Sequence, residues 1–196
     1  MMSIPPLDKD LKDWLQAIAW IAAAIGAFVA AIKFWSELRL GREQRNRELR
    51  WRQAEAGKSL NDEMLIDQWA WPALQMLDDD GREFELPSKR RTQITHDDLR
   101  RVLDPSIPMG SVDREKDTYI VECFDSLFYY MSTLEHYISS TLIIPEDVEF
   151  PLDYYMHHLS KFRPVVEKYL QEFRLVKAFA FLRRYPAWEG ASVEQK

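Results

Sequence analysis

The chain has 196 residues, 13% of them aromatic, with 32 acidic against 26 basic side chains and a net charge of −6. Setting aside one long apolar stretch, about 160 residues remain, enough for a single domain with a real core, and the aromatic content excludes a disordered tail. The lone cysteine, Cys123, excludes an intrachain disulfide framework and fits a reducing compartment.

Residues 1–13 read as a short extracytoplasmic tail, in which Asp8, Asp10 and Asp13 outnumber Lys9 and Lys12. Residues 14–35, WLQAIAWIAAAIGAFVAAIKFW, follow. At about 1.5 Å per residue they make a helix of about 33 Å, matched to a hydrocarbon core about 30 Å thick. Residues 17–32 carry no charge and no strong hydrogen-bonding group except the indole N–H of Trp20. Trp14 and Trp35 stand where amphipathic rings prefer the headgroup level, and Lys33 is close enough to the edge to extend its ammonium outward. A buried core helix is the bland alternative, but a helix apolar on every face must be surrounded, and little partner surface precedes residue 60. A cleaved signal peptide needs a positive leading region and a short apolar one; neither is present. The expectation is an uncleaved transmembrane anchor.

Within the span, Ala22, Gly26 and Ala30 recur at a spacing of four. Small residues so placed let helix backbones approach closely in lipid, where packing drives association. The bland reading is an alanine-rich anchor in which such spacing is inevitable. A homo-oligomer is expected through this face.

Residues 36–58 read as a helical stalk with seven basic and four acidic side chains. Arg39, Arg42, Arg45, Arg47, Arg50 and Arg52 form a positive collar that attracts the anionic headgroups of a lipid bilayer. The basic excess on this flank places residues 36–196 in the cytoplasm and the N-terminus outside. Glu43/Arg47 and Glu48/Arg52 have the spacing and polarity of stabilising helical ion pairs. Gly57 is read as the end of the stalk, and Ser59-x-x-Asp62 as a capping box opening a second helix.

Residues 59–185 read as a helical cytoplasmic domain, with 186–196 a C-terminal tail. A helix over 60–77 carries Leu60, Met64, Leu65, Trp69, Trp71, Leu74 and Leu77, kinked or interrupted at Pro72. A polar loop with short extended pieces fills 81–95. Thr95-x-x-Asp98 caps a short helix to about Leu103. The clearest helix is 117–143, where Ile120, Phe124, Leu127, Phe128, Met131, Leu134, Ile138 and Leu142 recur at steps of three and four. A last helical region covers 152–184, kinked or restarted at Pro164. The fold class expected is all-α: a transmembrane helix continuing into a basic stalk, then a small helical bundle.

The stretch FDSLFYYMSTLEHYISSTLIIPEDVEFPLDYYMHHLSKFRPVVEKYL is an aromatic amphipathic helix, LIIPEDV, then a second aromatic helix with a proline-interrupted continuation. Together with the span it resembles a family of short, uncharacterised bacterial proteins with one N-terminal span and a cytoplasmic helical domain. The resemblance covers the span and roughly residues 117–185. It implies a single-pass protein of the bacterial inner membrane and carries over no catalytic residue.

Candidate chemistry is sparse. Arg91 and His96 in RRTQITH have a spacing that resembles the Arg-x4–6-His signature of helical ribonucleases called HEPN domains. That resemblance implies an arginine stabilising phosphate charge and a histidine handling protons. About one such match is expected by chance, and His96 sits at a helix cap. AGKS at 56–59 lacks the upstream glycine of a phosphate loop, and DDDG at 78–81 lacks carboxylates at the ends of a calcium loop. His157 and His158 point to different helix faces; Asp153 and His157 share one, which makes two ligands and no third. Cys123 reads as a buried small residue. The aromatics of 128–137 read as core, part of which forms a partner groove in the sharper alternative.

No metal or cofactor is expected, and the acidic body argues against nucleic acid as a partner. Three readings stand. The first is a membrane-anchored interaction or oligomerisation protein, with a cytoplasmic protein as partner. The second is an oligomeric membrane effector or pore, as in some bacterial defence systems, although the span offers no polar stripe for a lumen. The third is a membrane-tethered ribonuclease using Arg91 and His96. The absence of a convergent polar constellation favours the first and weighs against an enzyme.

Overall fold

In the computed structural model, residues 9–108, 112–186 and 188 are described. Residues 1–8 of the tail read as extracytoplasmic lie outside them, as do 189–196 at the C-terminus and 109–111 of the loop before the long central helix. The fold is all-α with one small hairpin: α1 (Lys9–Ile66), α2 (Ala70–Asp78), β1 (Arg82–Glu85), β2 (Arg91–Ile94), α3 (His96–Val102), α4 (Arg114–Ser139), a 3-10 turn (Pro145–Asp147), α5 (Glu149–Ser160), α6 (Arg163–Glu172) and α7 (Val176–Leu182). The chain divides into two compact units, residues up to Arg50 and residues from Trp51 onward.

The first unit is helix throughout its described length, and from residue 13 to 40 every described side chain is exposed.

In the second unit, α4 is the central element, packed against α2, α3 and α7, with α5 on α2 and α6 on α7. Tyr119, Ile120, Cys123, Phe124, Leu127, Phe128, Met131 and Leu134 point into the core, as the three-and-four spacing of apolar side chains requires. The end of α1 belongs to this core through Leu60 and Met64.

Several boundaries differ from the sequence expectations, each for a physical reason. Gly57 does not end a helix: α1 runs through it to Ile66, and Ser59 Oγ donates to Glu63 at 3.4 Å rather than capping. A Cβ at Gly57 would stand 3.2 Å from Val148 Cγ1 and 3.3 Å from Asp147 Cβ. The glycine is there for a close approach between α1 and the 3-10 turn, not for a left-handed cap. Beside it, Gln53 Nε2 donates to Thr141 O at 2.8 Å.

The break in the 60–77 helix falls at Asp67, not at Pro72. Asp67 Oδ1 accepts from the backbone N–H of Trp69 at 2.9 Å, of Ala70 at 2.7 Å and from Ser126 Oγ at 3.0 Å. Those bonds start α2, and Pro72 then sits in its first turn, where a missing N–H costs nothing. Burial works against ionised Asp67, but the two backbone N–H groups and Ser126 outweigh it and hold the carboxyl below its ordinary range.

Residues 81–95 are an antiparallel hairpin pairing Arg82 with Ile94 and Glu85 with Arg91. Phe84 and Ile94 are buried, and Phe84 lies 6.4 Å from the Tyr119 ring. The expected capping box at Thr95 and Asp98 is present on both sides. Leu142, expected on the buried face of α4, is 53% exposed, because α4 stops at Ser139. There Thr141 takes a left-handed conformation (φ 57°), with its N–H on Ile138 O at 3.0 Å and that of Leu142 on Tyr137 O at 2.9 Å, a Schellman ending without glycine. Arg174 (φ 55°) ends α6 in the same way. The helical region expected over 152–184 does restart at Pro164, in the first turn of α6, and the Arg174 ending adds a further break, so that it is three helices.

Candidate functional site

α1 is long and apolar enough to cross a membrane, and none of its most apolar window is buried. Trp14, Trp20 and Trp35 are 71%, 70% and 74% exposed. A core helix of a water-borne domain has these side chains covered. Each large apolar side chain left in water forgoes about 1.5–3 kcal/mol of burial.

Ala22, Gly26 and Ala30 are exposed on α1. A Cβ at Gly26 would meet nothing within 4 Å. Glycine inside a helix costs about 1 kcal/mol relative to alanine, and unlike Gly57 this one admits no neighbour from its own chain.

Beyond the apolar stretch, Lys33 Nζ lies 4.0 Å from Glu37 and Arg39 Nε 3.3 Å from Glu43, both pairs exposed. Glu43 is thus engaged from the N-terminal side by Arg39, not by Arg47 as its spacing suggested. Arg45 Nε donates to Gly41 O at 3.2 Å. Trp35, Leu38, Arg39 and Arg42 enclose a cleft of about 240 Å³.

Arg91 and His96 take separate places. Arg91 is exposed on β2, opposite Glu85. His96 opens α3; its backbone N–H donates to Asp80 Oδ1 at 2.7 Å, and its ring stands edge-on to Phe162 at 5.1 Å. Arg100, one turn on, lies over the same Phe162 ring at 5.3 Å. The ring of His96 is held by packing at a helix start, and Arg91 belongs to a strand, whereas the ribonuclease signature lies in a helical site.

Cys123 is fully buried, and burial pushes its thiol up to about 12. At that value the thiolate needed for nucleophilic work is absent near neutrality. His158 Nδ1 is 3.2 Å from Leu77 O, and burial, aided by Lys161, lowers its pKa. Tyr154 on the same helix donates to Asp78. Among the described residues no group of three or more His, Cys, Asp or Glu is placed to hold a metal ion. Of the aromatics at 128–137, Phe128 is buried, Tyr130 and Tyr137 are half-buried, and Tyr129 is 67% exposed.

The largest polar cluster was not singled out from the sequence. Arg101 reaches both oxygens of fully buried Asp117, at 2.6 and 2.8 Å, and also Asp98 at 3.4 Å. Lys116 Nζ donates to Asp98 Oδ2 at 2.7 Å and to Gln93 O at 3.2 Å. Burial works against ionised Asp98, but Lys116 and Thr95 outweigh it and hold its pKa down. Next to this cluster, Arg90 clamps Asp113, the N-cap of α4, at 2.7 Å. Every charge here is met by another, so the cluster joins the hairpin, α3 and α4 and leaves no carboxylate or cation poised for a substrate. Apart from the local Arg101–Asp98 and Thr95–Asp98 contacts, its partners lie 16 to 23 residues apart, and no local spacing announces them. No family model, curated protein or solved structure matches this chain.

Proposed function

We propose that this is a single-pass membrane protein that assembles through its span and presents an acidic helical domain to a protein partner in the cytoplasm. The observation that carries the reading is the uncovered apolar surface of residues 14–35, bracketed by Trp14 and Trp35. Lipid is the solvent that such a surface requires. Six arginines from Arg39 to Arg52 against Lys9 and Lys12 favour the orientation with the N-terminus outside. A bacterial inner membrane fits that arrangement. Residues 59–196, with 25 acidic and 16 basic side chains, favour a basic face on the partner.

Assembly rests on Ala22, Gly26 and Ala30. Gly26 is a helix-weakening residue with open space around it, which a second backbone fills closely. The mass of the full-length chain in a mild detergent tests this, beside Gly26→Ile. Wild type is expected as an oligomer and Gly26→Ile as a monomer. A monomeric wild type removes the assembly reading, and an oligomeric Gly26→Ile moves assembly away from this face.

A further inference from the structure

Trp35, Leu38, Arg39 and Arg42 are spaced i, i+3, i+4 and i+7, which puts all four on one side of α1. They enclose the cleft of about 240 Å³ described above. Arg42 has no carboxylate within ion-pair distance among the described residues. The partner of Arg39, Glu43, is an exposed neighbour on the same helix (47% exposed against 79% for Arg39), a pair of the kind worth little in water. The cleft is thus lined by an indole, a leucine and two exposed guanidinium groups, of which Arg39 is held only by its exposed pair with Glu43.

Depth along the helix selects the occupant. With Trp35 at the edge of the hydrocarbon, Arg39 lies about 6 Å and Arg42 about 10 Å further out. The headgroup layer on each face is about 5–8 Å thick, and an arginine side chain reaches back several ångströms. Arg47 and Arg50 stand about 18 and 22 Å beyond Trp35, and so about 10–17 Å outside the headgroup layer, one to two screening lengths of about 8 Å at physiological salt. Six arginines read in sequence as one lipid-binding collar are therefore unequal.

We infer that Trp35, Leu38, Arg39 and Arg42 form a site for the headgroup of one anionic phospholipid, its phosphodiester held by the two guanidinium groups and its glycerol and upper acyl carbons on Trp35 and Leu38. The fork of an arginine matches two phosphate oxygens at once. Arg47 and Arg50 take no part in it. The inference rests on the membrane-anchor reading and narrows its lipid contact from a zone to a site.

Full-length protein reconstituted in vesicles of phosphatidylcholine with one-fifth phosphatidylglycerol (about 20%) is extracted gently, and its retained lipid is counted by native mass spectrometry. Phosphatidylglycerol is expected to be enriched over phosphatidylcholine. The double change Arg39→Gln with Arg42→Gln is expected to reduce that enrichment about 25-fold, at about fivefold per arginine near the surface. Arg47→Gln with Arg50→Gln is expected to leave it unchanged. Equal losses from the two pairs, equal retention of the two lipids, or displacement by soluble glycerol phosphate would each overturn the site. If the protein fails to enter the vesicles at all, the anchor reading falls instead, and the two failures are told apart before any lipid is counted.

Discussion

Asp117→Asn is expected to destabilise the domain by about 3–5 kcal/mol, the largest effect of any single polar substitution in it. The carboxylate is fully buried, and Arg101 meets both of its oxygens. The change replaces a carboxylate by a neutral amide, whose single oxygen meets one guanidinium N–H while its NH2 faces the other, and leaves Arg101 only the longer ion pair to Asp98 at 3.4 Å. A buried charge stripped of its partner costs several kcal/mol, whereas replacing both partners by apolar groups is often neutral. The double change Arg101→Met with Asp117→Leu is therefore expected to recover most of the loss. Thermal unfolding of the full chain in detergent reads the difference as a fall of about 6–20 °C for Asp117→Asn, at about 2–4 °C per kcal/mol for a domain of this size. A fall under about 2 °C would mean that the pair is solvated and not an organising contact.

Gly57→Val is expected to cost about 2–3 kcal/mol. Its Cβ alone lands 3.2 Å from Val148 Cγ1 and 3.3 Å from Asp147 Cβ, and a branched side chain adds two methyls to that contact. Val148 is itself buried, so overpacking has little room to relax. Gly57→Ala is expected to be much milder, because about 1 kcal/mol of helix propensity offsets its tighter contact. Thermal unfolding of the two variants should separate them by about 5 °C or more. Gly26→Ala, with open space around it, is expected to leave the domain's unfolding unchanged. A Gly57→Val protein as stable as wild type would show that α1 does not approach the 3-10 turn so closely.

What was legible in sequence was periodic or capped. The apolar stretch over 14–35, the buried face of α4 and the Thr95–Asp98 box each declare themselves within a few residues. What was not legible depended on distant contacts or on helix ends lacking their usual residues. Gly57 resembled a helix end because its true neighbour is some 90 residues away. Thr141 and Arg174 occupy left-handed caps where glycine is the ordinary marker, so the helices there were read as running on. Pro72 drew the break toward itself, although a proline in a first turn is harmless and the carboxylate of Asp67 sets the boundary.

Of the candidate residues, the structure supports a distinction between kinds. Gly26 and Arg42 are exposed, and a Cβ at Gly26 would meet nothing within 4 Å among the described residues. His96, by contrast, is packed on Phe162, and Cys123 is enclosed. The Arg101, Asp117, Asp98 and Lys116 side chains hold α3, α4 and the hairpin together.

The account depends most on residues 14–35 crossing a membrane with the domain inside. The direct measurement places a single reporter thiol at exposed Ser106, as Ser106→Cys in a Cys123→Ala background. Sealed bacterial spheroplasts carrying the full chain are treated with a membrane-impermeant maleimide, before and after permeabilisation, and the membranes are washed in alkaline carbonate. The account predicts labelling only after permeabilisation, with the labelled protein retained in the washed membrane pellet. Labelling of intact spheroplasts, or release of the protein into the carbonate wash, would contradict it.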